Sequence, residues 1–488
     1  MDHQSSKPKV VFIPLSDAMI PEMLPVARRL RGERKYEPVF LPAKIEKFRL
    51  EKLQALEQEG YQIVFPPTPK KEVYTVTHLE TGFASRKLSI WNSLISFVYH
   101  LTQPLIPRVV VKFLSAIKLQ SLQVNEAKRM LDNDNVAGLV LIGDRHLGWE
   151  TAFIKAANLR GIPSLIIPYA YSTPIAAVRL RHTSGYRDRF VRSSFLNWIT
   201  SIIFPRWVYE YNGERLLFYQ AHTSLAGWLT GTMPKNPWTI GGGKATRMAV
   251  ESPVVYRQFL EQGISPEKML ITGKPSWDAL YELLTVNKSF SPTSISDKEQ
   301  RKRVVLLSVP HRGEHGLLSW ERHWKEIDFL LSTLSHVPNT SVILSLHPIS
   351  NPSNYEPLAQ KYGATIGNEP YYKLLTICDI FVADKSSTIL VAIGLAKPTI
   401  LLGYLDQYQD FYESSPCVIT IRAHGELKPT LEKLINDTDY YSRVVEKQRQ
   451  EVTDWILLDG KCTERVVNEL YRLIETSKPE PAGKNRNN

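Results

Sequence analysis

Short runs of Val, Ile and Leu that fail to alternate with polar residues restrict the fold of this chain more than any other feature. "KVVFIPL" (9–15), "EPVFLPA" (37–43), "YQIVFPP" (61–67), "AGLVLIGD" (137–144) and "PSLIIPYA" (163–170) mark the first half. "RVVLLSVP" (303–310), "SVILSLHP" (341–348), "DIFVAD" (379–384), "PTILLG" (398–403) and "CVITI" (417–421) mark the second. A strand with one wet face alternates apolar and polar residues, whereas a strand covered on both faces reads as a continuous apolar run. Helical segments such as "PEMLPVARRLRGE" (21–33) separate the runs. Strand–helix alternation of this kind predicts doubly wound parallel sheets.

The 488 residues are enough for two or three domains with full cores. Polar, Ser-rich "NKSFSPTSISDKEQRKR" (287–303) reads as the linker between halves. The expected fold class is α/β, with two facing Rossmann-like domains, 1–290 and 300–455, built on parallel sheets. A C-terminal helix, 456–476, is expected to pack back on the first domain, ahead of a disordered tail, 477–488.

Residues 174–232 break the alternation. Arg179, Arg181, Arg187, Arg189 and Arg192 precede an aromatic, apolar stretch. Two readings stay open: a helical insertion packed on its own domain, or an interfacial segment that meets anionic lipid. The longest uncharged stretch, 88–107, contains Asn, Gln, His, Ser and Pro and reads as non-spanning. A polar N-terminus running into a strand reads as no signal peptide. Three widely spaced cysteines read as reduced thiols without metal spacing. The expected location is cytoplasmic, with contact at the inner membrane face left open for 88–107 and 195–209. The net charge of +11 favours an anionic partner. Neither zinc-finger spacing nor an RNA-binding aromatic signature is present, so nucleic acid is not expected.

Ligands of open parallel sheets bind beyond the carboxyl ends of the strands, and that is where the reactive residues of this sequence fall. "VADKSSTILVAIGLAKPTILL" (382–402) puts Asp384, Lys385, Ser386, Ser387 and Thr388 between a strand and an apolar helix. Hydroxyls, a lysine and helix-start N–H groups suit a phosphate, although Ser-Ser-Thr also serves as a plain helix cap. "SVILSLHPIS" ends its strand on His347 and Pro348, one βα unit away. "SVPHRGEHGLLSW" (308–320) supplies His311, Arg312, Glu314 and His315. Arg312 offers a fork for phosphate, and a histidine offers an acid or base. In the first half, "LIGDRHLGWETAF" (141–153) places Asp144 and His146 at a strand end and Glu150 on the next helix, where a base for an acceptor hydroxyl would sit. "IGGGKAT" lacks the spacing of a phosphate-binding loop and reads as a turn, and "TGKPSWDAL" adds Lys274 near the same cleft.

These motifs together resemble the GT-B superfamily. "ESPVVYRQFLEQGISPEKMLITGKPSWDAL" (251–280), "PHRGEHG" and "GDRHLGWETAFIKAANLRGIPSLII" resemble segments of UDP-N-acetylglucosamine 2-epimerases and related glycosyltransferases. The resemblance sets Asp144 on the epimerases' catalytic aspartate and His311 on their active-site histidine. Their catalytic glutamate, however, falls on Pro168, and their ribose-holding Glu pair falls on Leu390 and Val391, which counts against epimerisation. The His-Pro and Ser-Ser elements are similar to those of CDP-glycerol glycerophosphotransferases and of bacterial sialyl and capsule transferases. There the elements are understood to contact donor phosphates.

The resemblance implies a transferase that moves a group from a UDP-, CDP- or CMP-linked donor to a surface polysaccharide or glycolipid acceptor. Asp144, His146 and His311 are the candidate catalytic residues. Arg312, Glu314, His347, Asp384, Lys385, Ser386, Ser387 and Thr388 are the candidate donor contacts, with Glu150 and Lys274 elsewhere in the cleft. No cofactor or metal is expected, because cations and a helix dipole neutralise the leaving group. The alternatives are an epimerase-like isomerase and a non-catalytic nucleotide-sugar-binding homologue.

Overall fold

A computed structural model describes residues 7–43, 45–67, 108–169, 171–182, 184–286, 302–347, 350–405 and 411–477. The expectations for 88–107, for Pro348, for most of the 287–303 linker and for the tail beyond 477 lie outside these residues. The chain forms two units. One takes in residues up to Ala249, Ile264–Leu270 and those from Val466 onward, and the other takes in Val250–Gly263 and Ile271–Arg465. The division therefore falls near 250 and again within the last helix, not at the boundary near 290 expected from the linker composition.

In the first unit, β1 (Lys9–Ile13), β2 (Glu37–Phe40), β3 (Gln62–Ile63), β4 (Val136–Leu141), β5 (Ser164–Ile166), β8 (Arg247–Val250) and β9 (Met269–Ile271) form a sheet ordered β3-β2-β1-β4-β5-β8-β9. Its ladders from β3 through β8 are parallel. Phe12 stacks on Phe40 at 5.2 Å, and Met23 and Leu30 of helix Ile20–Gly32 cover that pair. Val466, Leu470 and Ile474 of helix Cys462–Thr476 join the same core, as expected of a C-terminal helix that returns to the first sheet. Gly138 in β4 permits the approach: a Cβ there would lie 3.3 Å from the Ile474 side chain.

The 174–232 region contains helices Pro174–Arg181, Phe195–Ile203 and Ala221–Thr230 around a hairpin of β6 (Val208–Tyr211) and β7 (Glu214–Leu217). Asn212 and Gly213 turn that hairpin with φ of 52° and 71°, the backbone for which Asn-Gly is preferred. Helix Phe195–Ile203 is inverted. It buries Asn197, Thr200 and Ser201, while Phe195, Trp198, Ile202 and Ile203 are 73%, 49%, 58% and 60% exposed. Asn197 Nδ2 donates to the carbonyls of Asp188 and Phe190 at 2.8 and 2.9 Å, which secures the polar face inward. Among the described residues no helix is long and apolar enough to cross a membrane.

In the second unit, β10 (Arg303–Ser308), β11 (Thr340–Ser345), β12 (Thr365–Ile366), β13 (Ile380–Ala383), β14 (Thr399–Leu402) and β15 (Val418–Ile421) are all parallel and ordered β12-β11-β10-β13-β14-β15. This is the doubly wound order in which the chain reverses direction between the first and fourth strands. The all-apolar β13 is buried at every position. Helix Trp320–Ser335 covers one face with Ile327, Leu330, Leu331 and Leu334.

Candidate functional site

The strand registers gather the second unit's reactive loops. Ser308, the last residue of β10, lies level with Ser345 of β11 on one side and Ala383 of β13 on the other. His311, His347 and Asp384 follow these three level ends, so their loops meet over the point where the strand order reverses. Crevices of this kind hold ligands in open α/β sheets.

His311 is the centre of the cluster. Its ring stacks on His347 with centroids 4.1 Å apart and meets His315 edge-on at 4.6 Å. Burial first, and then repulsion from His347 and His315, pushes the His311 imidazole down to about 4. Burial followed by the nearby His315 also lowers His347. Both rings are therefore neutral near pH 7, each with one N–H to donate and one lone pair to accept a proton.

Arg312 and Asp384, read from the sequence as separate donor contacts, form one ion pair. Nε and Nη2 of the largely buried guanidinium donate to the two carboxylate oxygens at 2.6 and 2.9 Å, and Nη1 donates to the Leu405 carbonyl at 2.5 Å. Asp384 also accepts the Lys385 N–H at 2.8 Å. The pair ties the loop after β10 to the loop after β13, and among the described residues two of the five guanidinium N–H groups are left for a ligand.

Ser386 Oγ accepts from the N–H of Thr388 at 3.3 Å and from its hydroxyl at 3.0 Å. It thereby caps helix Thr388–Gly394, while Ser387 at the helix start makes no capping bond. Glu314 also has a positioning role. Its Oε1 accepts from Ser350 Oγ at 2.7 Å and from Tyr355 OH at 2.6 Å, pinning the histidine loop to the 350–355 segment. Burial would raise this carboxyl, but the bonds from Tyr355 and Ser350 outweigh it and hold the group below its ordinary value. Lys274 is buried in the second unit near Glu251 and within 5.8 Å of the Trp277 ring. Burial raises the Glu251 carboxyl, and the Lys274 charge opposes that rise.

Asp144, His146 and Glu150 belong to the first unit. Asp144 is 1% exposed, and its carboxylate accepts from Gly241 N at 2.9 Å, Ala245 N at 3.4 Å and Lys268 Nζ at 3.0 Å. It clamps the triple-glycine turn, where a Cβ on Gly243 would lie 2.1 Å from the Asp144 carbonyl oxygen. The sequence reading of "IGGGKAT" as a turn thus acquires its reason: glycine lets the chain close around a buried carboxylate. Glu150 is buried and His146 half-buried on the same loop–helix segment. Tyr219 holds this segment by donating to the Arg145 carbonyl at 2.9 Å and accepting from Leu147 N at 3.0 Å, and burial pushes its phenol up to about 12. The sequence reading did not single out Lys268, Tyr355 or Tyr219, and it treated His315 as an alternative to His311 instead of its partner.

Residues 251–472 match the family model "CDP-Glycerol:Poly(glycerophosphate) glycerophosphotransferase", a segment containing the whole histidine and Ser-Ser cluster. The chain also superposes end to end on solved structures. A UDP-N-acetylglucosamine 2-epimerase is 13% identical, with TM-score 0.50 over 98% of this chain and 99% of the other. The S. aureus MnaA–UDP complex is 14% identical, with TM-score 0.50 over 98% and 100%. CalG4, the calicheamicin glycosyltransferase, is 11% identical, with TM-score 0.50 over 97% and 100%. The chain has the GT-B fold of these proteins. Over residues 251–472 the chain is similar to that glycerophosphotransferase family, and its fold is shared with a glycosyltransferase. No curated protein matches the sequence. Leu390 and Val391, where the sequence resemblance would set a ribose-holding Glu pair, are buried on helix Thr388–Gly394.

Proposed function

We propose that this protein transfers a glycerophosphate-type or sugar unit from a cytidine-linked donor to a hydroxyl of a cell-envelope polymer, working at an anionic membrane surface. The observation that supports it most is the cluster of neutral imidazoles at the strand-order reversal, inside the segment similar to glycerophosphotransferases. His347 donates its N–H to a donor phosphate oxygen. Ser387, Lys385 and the remaining N–H groups of Arg312 hold the leaving phosphate. His311, neutral at pH 7, accepts the proton of the acceptor hydroxyl. For a CDP-glycerol-type donor the hydroxyl oxygen bonds to the β-phosphorus, the bridging P–O bond breaks, and CMP leaves with the electron pair. Fixed cations stabilise the charge that develops on the leaving phosphate without a metal being required. Asp144, held by three donors, serves this reading as a positioning residue.

Helix Phe195–Ile203 supports the membrane part of the reading. Its exposed Phe195, Trp198, Ile202 and Ile203 lie near exposed Arg192 and Arg206, and apolar rings flanked by arginine suit insertion among anionic headgroups. A cytoplasmic protein docked on the inner face would meet lipid-linked acceptors there.

The test is transfer from CDP-glycerol to a glycerophosphate-primed lipid acceptor. His311→Gln is expected to lower the rate by about 10²–10⁴-fold with an unchanged melting temperature. A fully active His311→Gln variant would remove the assignment.

A further inference from the structure

His311 and His315 are four residues apart on one turn. The His315 N–H donates to the His311 carbonyl at 3.2 Å, and Gly316 N–H donates to the Gly313 carbonyl at 2.9 Å. This backbone turn presents both imidazoles on one side, the i,i+4 spacing with which helical histidine pairs chelate zinc. His347 enters from the neighbouring strand end, 4.1 Å from His311 and 6.0 Å from His315 by ring centroid. One ring nitrogen from each of the three lies within 4.8 Å of the others.

We propose that His311, His315 and His347 bind a borderline divalent cation of the zinc class, and that its occupancy shuts the transfer site. Zinc–imidazole bonds of about 2.0–2.1 Å place tetrahedral ligand nitrogens about 3.3 Å apart. Closing the cluster thus needs ring movements of about 1.5 Å or less, and exposed His315 can turn into place without disturbing the core. The donor set also selects the ion. The neighbouring carboxylates are engaged, Glu314 by Ser350 and Tyr355 and Asp384 by Arg312. Three imidazoles remain, which suit zinc, cobalt, nickel or copper, whereas magnesium and calcium require oxygen ligands. A three-histidine set leaves a fourth position for water or a phosphate oxygen. The loop is already braced for the task, because Glu314 fixes its middle and the Arg312–Asp384 pair fixes its start.

The inhibitory consequence rests on the transfer reading above. A bound cation takes the His311 lone pair that would accept the acceptor proton, and it holds the His347 ring away from the donor. The ion acts as a competitor at the imidazoles and not as a cofactor.

The test uses the full-length chain, stripped of metal with chelator and titrated with Co²⁺ while the visible d–d bands are followed, then displaced by Zn²⁺. One equivalent is expected to give the bands of a nitrogen-rich four-coordinate site. His315→Gln is expected to weaken binding by at least about tenfold and to keep the wild-type melting temperature without metal. Zn²⁺ is expected to slow wild-type transfer and to slow the His315→Gln variant far less. The site is overturned by the absence of d–d bands, or by Co²⁺ and Zn²⁺ affinities that neither His315→Gln nor His347→Gln changes. Binding that leaves wild-type transfer unslowed would overturn the inhibitory role while keeping the site. If no donor supports transfer at all, the spectroscopic titration still decides the metal site.

Discussion

His311 owes its low basicity to what surrounds it. Burial and two neighbouring rings depress its pKa to about 4, against an ordinary value near 6.5. Between these values the unfolded chain binds a proton that the folded chain refuses, so stability rises with pH across the window and is lost as pH falls through it. The melting temperature is expected to drop between about pH 7 and pH 4.5, and His311→Gln is expected to flatten that drop. A wild-type protein equally stable at both pH values would contradict the burial argument. Arg312 and Asp384 have a different dependence. Asp384→Asn leaves a mostly buried guanidinium without its counter-charge, at an expected cost of about 3 kcal/mol in urea unfolding. The added change Arg312→Met is expected to recover part of that loss. An Asp384→Asn variant as stable as wild type would show that the pair does not brace the loops. At this scale the sequence placed these residues at strand ends but did not show their pairing. "PHRGEHG", "HP" and "DKSS" each read as a strand-end site, because polar side chains after an apolar run have few other places to be. That Arg312 faces Asp384, that Glu314 faces Tyr355, and that Asp144 faces Lys268 depends on contacts 41 to 124 residues apart in the chain, which no local pattern encodes.

Helix Phe195–Ile203 shows the same division at the scale of an element. "FLNWITSII" is apolar enough to read as a core helix or an interfacial one, and composition alone does not choose. The choice comes from Asn197, whose amide satisfies two backbone carbonyls beneath the helix and so turns the aromatic face outward. Asn197→Ala is expected to destabilise the protein by about 1–3 kcal/mol, measured by denaturant unfolding, because it strands those buried acceptors. Ile202→Ser with Ile203→Ser should leave unfolding unchanged and weaken sedimentation with anionic vesicles by about tenfold or more, since each buried aliphatic side chain contributes about 1.5–3 kcal/mol. Equal vesicle binding by the double variant would exclude this face as the docking surface. The hairpin beside it was legible in principle: "YNGE" between β-forming residues is a strong turn signal, set among arginines that suggest a charged surface instead.

For the whole molecule, the apolar runs gave both parallel sheets, since a strand covered on two faces has little freedom to read as anything else. Each sheet adopts an order that reverses after its first strand, and in the second unit the histidine and Ser-Ser loops fall at that reversal. The division between units was not legible. Composition pointed to the polar linker, whereas the chain changes units near Val250, returns for Ile264–Leu270, and ends with Val466–Ile474 in the first core. Such returns are decided by packing, as where Gly138 admits Ile474. The central claim is that the second sheet's reversal point, with His347 at its rim, binds the phosphates of a cytidine-linked donor. The most direct test is the melting temperature of the full-length protein and of His347→Ala against CMP, CDP-glycerol, UDP, GDP and ADP. A ligand at about a hundredfold excess over its Kd stabilises the native state by about 2.7 kcal/mol, which is readily seen as a shift. The account predicts a shift with the cytidine nucleotides that His347→Ala abolishes; no shift with any nucleotide, or one that His347→Ala leaves intact, would contradict it.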